Sequence, residues 1–183
     1  TVIGSDRIGG QSFNIRGIGD LASSDESKII VTVDGATKFY EQYRLGSFFS
    51  DPELYKQVEV LRGPASSTLY GAGALGGVIN FTTKDPSDFL KPEDTAVLRL
   101  KGMYDSNKWG FMTSAVGAVR LSENTEFLVN GLFRKSNDIE DGHGIEIPGS
   151  AFSSFSGLAK VVHHFGEDKE QAVRLSYQRW QSD

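Results

Sequence analysis

One short run of this chain spells a nucleotide-binding fingerprint. Gly71-Ala72-Gly73-Ala74-Leu75-Gly76 fits G-x-G-x-x-G, a pattern that seats a pyrophosphate against backbone N–H groups at a helix N-terminus. That chemistry needs a strand before the glycines and a helix after them. Here Pro64–Tyr70, more helical than extended in character, precedes them, and the β-branched run Val78-Ile79-Asn80-Phe81-Thr82-Thr83 follows. The order is reversed, so the fingerprint has no helix end to offer. No Gly-Lys-Ser/Thr follows, which excludes a P-loop. Ser66 and Ser67 lie in the same glycine region, but the spacing supplies no general base. No nucleophile elbow, paired carboxylates or triad spacing occurs, so an enzyme is not expected.

Metal chemistry fares no better. The 3 histidines are His143, His163 and His164. His163 and His164 are neighbours on a strand-like run, so they point to opposite faces and cannot share one ion. The acidic loop Asp138-Ile139-Glu140-Asp141-Gly142-His143-Gly144 lacks the D-x-D-x-D-G spacing of a calcium loop. Cysteine is absent, which removes disulfide scaffolds, thiolate metal sites and thiol nucleophiles. The net charge of −5 argues against a nucleic-acid partner, which usually leaves a basic face. No resident cofactor or metal is expected.

The residues best suited to binding lie in Ala36–Ser50. This segment carries Phe39, Tyr40, Tyr43, Phe48 and Phe49 around Arg44, without a clean period. A loop of that length is usually functional or disordered, and disordered segments are poor in aromatics. Phe48 and Phe49 are equally well explained as caps on a core. Tyr40, Tyr43 and Arg44, with Phe39 beside them, are the better ligand-facing set, since Tyr and Arg recur at binding hot spots.

Two different textures position these groups. The first runs to about residue 90. Ser12–Arg16 reads as a short strand closed by Gly17, Ile29–Val33 as a buried strand, Asp34-Gly35 as a turn, and Gln57–Leu61 and Val78–Thr83 as strands either side of the glycine region. Residues 1–11 read as a loop. Asp51 reads as an N-cap with Pro52 in the first turn of a short helix, Pro52–Lys56. Gly17, Gly35, Gly63, Gly71, Gly76 and Gly77 are structural candidates, where backbone passes close to backbone or takes positive φ. Arg16 and Arg62 each close a strand immediately before a glycine. Asp85–Asp94, with Pro86 and Pro92, reads as a linker.

The second texture, residues 91–183, has period two. Ala96, Leu98, Leu100 and Tyr104 share one face against Arg99, Lys101 and Asp105. Trp109, Phe111, Ala115, Val119 and Leu121 share a face, as do Phe127, Val129 and Phe133 against Glu126, Asn130 and Arg134. Phe155, Ala159, Val161 and Phe165 oppose Ser156 and Lys160, and Val173, Leu175 and Tyr177 oppose Arg174, Ser176 and Gln178. Each run is close to the ~9–11 residues with which a tilted strand crosses a bilayer. Connections alternate between the short Ser122–Asn124 turn on one side and Asp105–Lys108 and the long Ser136–Ser154 on the other, as in a transmembrane barrel. Aromatics at strand ends (Tyr104, Trp109, Phe133, Phe155, Phe165, Trp180) suit an interfacial girdle. A soluble antiparallel sheet with one wet face would share the period.

The glycine region and two upstream pieces carry a resemblance. Val58–Lys84, VEVLRGPASSTLYGAGALGGVINFTTK, resembles the end of the plug domain of TonB-dependent outer-membrane receptors. Phe13-Asn14-Ile15-Arg16-Gly17-Ile18-Gly19 and Val31-Thr32-Val33-Asp34-Gly35 resemble the same domain in the right order, so the likeness covers residues 12–84. The resemblance implies an α+β plug, a small mixed four-stranded sheet with short helices, followed by about five antiparallel strands of an incomplete transmembrane β-barrel. It implies domains at 1–90 and 91–183, a longer protein in a Gram-negative outer membrane, and a barrel of about 22 strands.

It further implies active transport powered by TonB, contacted through a segment before residue 1. In such receptors, arginines at the positions of Arg16 and Arg62 pair with barrel-wall acids. YEQYRLGSFFSDPELYKQVEVLRG and Asp141-Gly142-His143-Gly144 are more similar to receptors for haem or haemoproteins than to siderophore receptors. Haem or a ferric chelate would then be cargo, and outer-membrane lipid a further partner. A ferric siderophore is the alternative ligand, and a soluble binding or adhesion module the alternative class.

Overall fold

A computed structural model describes residues 2–3, 12–15, 29–37, 50–63, 74–107 and 109–182. The chain divides into two compact units, Thr1–Thr83 and Lys84–Asp183.

The first unit is built on a four-stranded mixed sheet. Its strands are β3 (Ile29–Val33), β4 (Ala36–Thr37), β5 (Tyr55–Arg62) and β6 (Gly77–Thr83), in the order β4-β3-β6-β5. β6 runs parallel to β3 and antiparallel to β5. The β3–β4 hairpin closes through Asp34 and Gly35, both at positive φ (50° and 80°), the backbone of a type I′ turn. β6 is the central strand: Val78, Ile79 and Phe81 are all buried, as expected of a β-branched run covered on both faces. Phe81 packs against Phe13 and Tyr55 at ring-centroid distances of 5.9 and 5.0 Å.

A polar ladder crosses the same sheet. Thr32 donates to the Asn80 carbonyl oxygen at 2.7 Å, and the Asn80 amide donates to Glu59 at 3.2 Å. These residues stand opposite one another in the register, so each buried or half-buried polar atom meets a partner one strand away.

Two local expectations change. The predicted helix Pro52–Lys56 is a 3₁₀ turn, Pro52–Leu54, and the strand starts earlier, at Tyr55. The cap itself is as expected: Asp51 accepts from the Glu53 N–H at 2.9 Å. The shortening has a physical cause. Tyr55 pairs with Thr83 in the sheet and buries its ring, with its hydroxyl 2.6 Å from that of Ser50, and that long-range pairing outweighs one more helical turn. In the segment read as a loop, Val2–Ile3 forms a short strand, β1, antiparallel to β2 (Ser12–Phe13).

The second unit is a five-stranded antiparallel meander: β7 (Ala96–Asp105), β8 (Gly110–Ser122), β9 (Thr125–Ser136), β10 (Phe152–Phe165) and β11 (Gln171–Ser182). Each strand pairs with its sequence neighbour, so the spatial order is the chain order, and β7 and β11 are its edges. The sheet is open. Glu123 and Asn124 form the tight turn after β8, where a register shift between Arg120 and Ser122 marks a bulge. Asn137–Ala151 form the long connection between β9 and β10. Among the described residues, no helix is long and apolar enough to cross a membrane, which says nothing of strands.

Candidate functional site

The register aligns the five period-two patterns across the whole second sheet. Leu98, Gly117, Val129, Ala159 and Tyr177 stand in one row; Ala96, Val119, Phe127, Val161 and Leu175 form the row beside it. This apolar face is the exposed one. Leu100 is 72% exposed, Leu98 71% and Leu175 69%. Lys135 and Arg179 interrupt it towards the end that carries the long connection.

The opposite face is covered and much more polar. Asn130 and Lys160 are 1% and 2% exposed, and Ser114, Ser136, Ser154 and Ser156 are buried beside Met112, Leu128, Leu132 and Leu158. A soluble sheet buries its apolar face and wets its polar one. Here the polarity is reversed, as it is in a transmembrane barrel whose outside meets lipid and whose inside is polar.

Aromatics gather at the end of the exposed face nearest the long connection. Tyr104 and Trp109 meet edge-on at 6.4 Å, and Phe111 and Phe133 pack at 5.8 Å. Phe155 faces Phe133 across the β9–β10 pair, and Phe165 stands exposed at the other end of β10. Trp180 does not belong to this girdle. It pairs with the fully buried Ser156 and so points to the covered face. Tyr177 points outward, and a residue three positions on must point the other way.

The long connection is an ordered loop. Asp138 binds its C-terminal end, accepting from the Ala151 N–H at 2.7 Å, with Ser150 also bound. Asp141 accepts from the N–H groups of His143 and Ile145 at 2.8 and 2.9 Å. Asn107, in the β7–β8 turn, exchanges two hydrogen bonds with the backbone of Glu140. These carboxylates serve the backbone, and their side chains are arranged as turn-formers. Both sit below the usual carboxylate value: Asp138 through the Ala151 amide first, Asp141 through the Ile145 and then the His143 amide.

A depressed folded value means that the charged form holds the loop. That contribution is complete above the ordinary value of 3.8 and is lost as pH falls through the lowered folded values. Amide-exchange protection of His143 and Ile145, corrected for intrinsic rates, is therefore expected to be equal at about pH 7 and 5 and clearly lower at about pH 3. Equal protection at all three would contradict this bracing.

His163 and His164 go separate ways, to Thr125 at 2.9 Å and to the Lys169 carbonyl at 3.4 Å. In the first unit, Arg62 ends β5 opposite Gly77. Gly77 has φ 137°, and a Cβ there would sit 2.1 Å from the Leu61 carbonyl oxygen, so only glycine fits. The Gly63 N–H donates to the Gly76 carbonyl at 3.1 Å, closing the base of the glycine segment. Gly35 occupies the hairpin turn. Arg16, Gly17, Phe39, Tyr40, Tyr43, Arg44 and Gly71 lie outside the described residues. Tyr55, a described tyrosine of this unit, has its phenol pushed up to about 12, by burial first. It stays protonated near neutrality and is no candidate for a tyrosinate ligand to iron.

Two groupings were not visible as sites in the sequence. Lys160 and Asp85 form a buried ion pair at 2.9 Å. Arg120 binds the carbonyls of Lys91, Pro92 and Asp94 and the carboxylate of Glu126. Their one signal in sequence was a cation on an inward-facing strand position, which names no partner.

A small mixed sheet is followed along the chain by an antiparallel meander with the polarity of a transmembrane barrel wall. Comparison with known proteins agrees. Residues 1–78 match the family model of the TonB-dependent receptor plug domain. The chain is 32% identical over 181 residues to the "Hemin receptor" of Yersinia enterocolitica, covering 97% of this chain and 24% of that protein. The FrpB iron transporter of Neisseria meningitidis superposes with a TM-score of 0.82 at 29% identity, over 99% of this chain and 27% of that one. The Serratia marcescens haemophore receptor HasR, solved with its haemophore HasA and haem, gives 0.79 at 27% identity, over 93% and 26%. In its first 78 residues by the family model, and along nearly its whole length by these relatives, the chain is similar to TonB-dependent receptors. It spans about a quarter of the length of these relatives.

Proposed function

We propose that this chain is the plug, residues 1–90, and the first wall strands, residues 91–183, of a TonB-dependent outer-membrane transporter. Its cargo is an iron-containing ligand, haem or haem delivered by a haemoprotein. The observation that carries the membrane reading is the reversed polarity of the second sheet, with Leu98, Leu100 and Leu175 out and Asn130 and Lys160 in. An aqueous fold gains nothing from exposing that apolar face, whereas in lipid it is the required surface. By connection length, the Glu123-Asn124 turn is periplasmic and the Asn137–Ala151 loop external.

In mechanism, the ligand is met outside by the external loops and by the plug segment carrying Phe39, Tyr40, Tyr43 and Arg44. TonB, acting through chain before residue 1, then rearranges the plug, whose Arg16 and Arg62 pair with acids of the wall. Haem is favoured because the hemin receptor and HasR are haem proteins by name. The 3 histidines all lie beyond residue 90, so a protein ligand to haem from the plug would be Tyr40 or Tyr43. That lack of histidine in the plug favours a ferric siderophore as the second reading.

Titration of the purified full-length receptor separates the two. Haem is expected to bind saturably with a shift of its absorption band, weakened at least about tenfold by Tyr40→Ala, Tyr43→Ala or Arg44→Ala, the size of a hot-spot loss. Saturable binding of a ferric siderophore with no haem shift would overturn the haem reading. Unchanged haem affinity in all three variants would remove this segment from the site.

A further inference from the structure

Two glycines on the outward face of the second sheet are not required by its backbone. Gly102 and Gly131 lie inside β7 and β9, neither has a positive φ, and a Cβ added at either would meet nothing within 4 Å. Glycine inside a strand weakens it, and one recurrent use is to let a ligand approach the backbone closely. Here the missing side chains leave an open hollow of about 570 Å³. Gly102, Thr113, Ala115 and Gly131 form its floor, and Leu100, Phe133 and Phe155 its walls. That volume falls in the ~300–1,000 Å³ range of sites for small molecules.

Two cations stand on the same face, beyond the upper end of the hollow. Lys135 lies two positions past Phe133 on β9, and Arg179 of β11 faces Gly157, two positions from Phe155. Both are exposed. Arg179 donates to the neutral Gln181 of its own strand at 3.0 Å, and Lys135 has no polar partner among the described residues. Aspartate and glutamate are absent from the outward positions of all five strands, so this charge is not balanced within the face. Counted from the ends at the short turns, Leu100 is fifth in β7, Arg179 ninth in β11 and Lys135 eleventh in β9. In strands that cross a membrane, that order is depth. The hollow opens near mid-membrane and the cations stand near the external surface. A cation on the lipid face is costly at the midplane and nearly free at the interface, where a lipid phosphate answers it.

We propose that this outward face binds a phosphorylated, multiply acylated glycolipid of the outer leaflet. One acyl chain lies over Gly102 and Gly131, between Leu100, Phe133 and Phe155, and the phosphate sits between Arg179 and Lys135. Side and charge select the occupant. A neutral lipid leaves both cations unanswered, and an anionic lipid of the inner leaflet carries its headgroup at the opposite ends of the strands. The site rests on the membrane reading above, and it lies on the outside of the wall, away from the cargo.

Bromine quenching on the full-length receptor in vesicles tests this. Val129, an outward residue two positions from Gly131, is changed to Cys and labelled with bimane. The vesicles are phosphatidylethanolamine with increasing lipid A or phosphatidylglycerol, either one brominated on its acyl chains. Lipid A is expected to reach half-maximal quenching at a mole fraction at least about fivefold below that of phosphatidylglycerol. Gly131→Leu, which fills the hollow, and Arg179→Gln, which removes one cation, are each expected to erase that preference. Arg174→Gln, on the opposite face of β11, is expected to leave it within about twofold. Equal half-maximal fractions for the two lipids, or a preference that survives both variants, would overturn the site. Quenching by neither these lipids nor brominated phosphatidylethanolamine would show the face in water, and the membrane reading would then fail together with the site.

Discussion

Leu100→Arg is expected to destabilise the full-length receptor in vesicles by about 2–4 kcal/mol, the cost of an arginine on the lipid face near the bilayer midplane. Leu100 sits midway along β7 and is 72% exposed. In water, so exposed a position would tolerate arginine within about 0.5 kcal/mol. The same change at Leu121, 62% exposed beside the short turn, is expected to cost about 0–1 kcal/mol, because the penalty falls towards the interface. The difference between the two sites, measured by denaturant titration of vesicle-inserted receptor, reads depth directly. Equal costs would place this face in water.

Gly77→Val is the second large effect, and it falls on the plug. The new Cβ would lie 2.1 Å from the Leu61 carbonyl oxygen, at a residue with φ 137°. A bulky residue in that conformation carries about 1–3 kcal/mol of backbone strain, and the overlap forces β5 away from β6, adding about 1–3 kcal/mol. The expected outcome is a loss of at least about 2 kcal/mol in the local opening free energy of β6, read from hydrogen exchange at Ile79 and Phe81. Exchange at Leu128 and Leu158, in the other unit, is expected to stay unchanged. Unaltered protection at Ile79 would show that the strands can yield at no cost.

What could be read from the sequence follows from the range of the forces involved. Side chains alternate along a strand by geometry, so the faces of all five wall strands were legible, down to Leu175 and Tyr177 against Arg174 and Ser176. Asp51 was legible as a cap because its partner, Glu53, is two residues away. Trp180 was misplaced because a strand-end aromatic was credited to the girdle without counting its parity from Tyr177. The turn at Pro52–Leu54 fell short of a helix because Tyr55 answers to Thr83, which local propensity cannot see. Asp85 and Lys160 are further apart still, and a stretch rich in proline and charge read as a loose linker. The Arg120 clamp on Lys91, Pro92 and Asp94 was hidden for a related reason: carbonyl acceptors carry no side-chain signature.

The candidate binding residues divide differently. Tyr40, Tyr43 and Arg44 stand out by residue type alone, in an aromatic segment without period, and the titration above tests them. The Asn137–Ala151 loop agrees with the spacing argument against a cation site: the carboxylates of Asp138 and Asp141 are engaged by backbone N–H groups of their own loop.

Uptake decides the central claim. Cells lacking their own haem receptors, given the full-length protein and supplied with ⁵⁵Fe-labelled haem, are expected to accumulate label in a TonB-dependent manner, with excess ferric siderophore failing to compete. Label accumulating equally without TonB, or entering only as the siderophore complex, would contradict a plug-gated haem transporter.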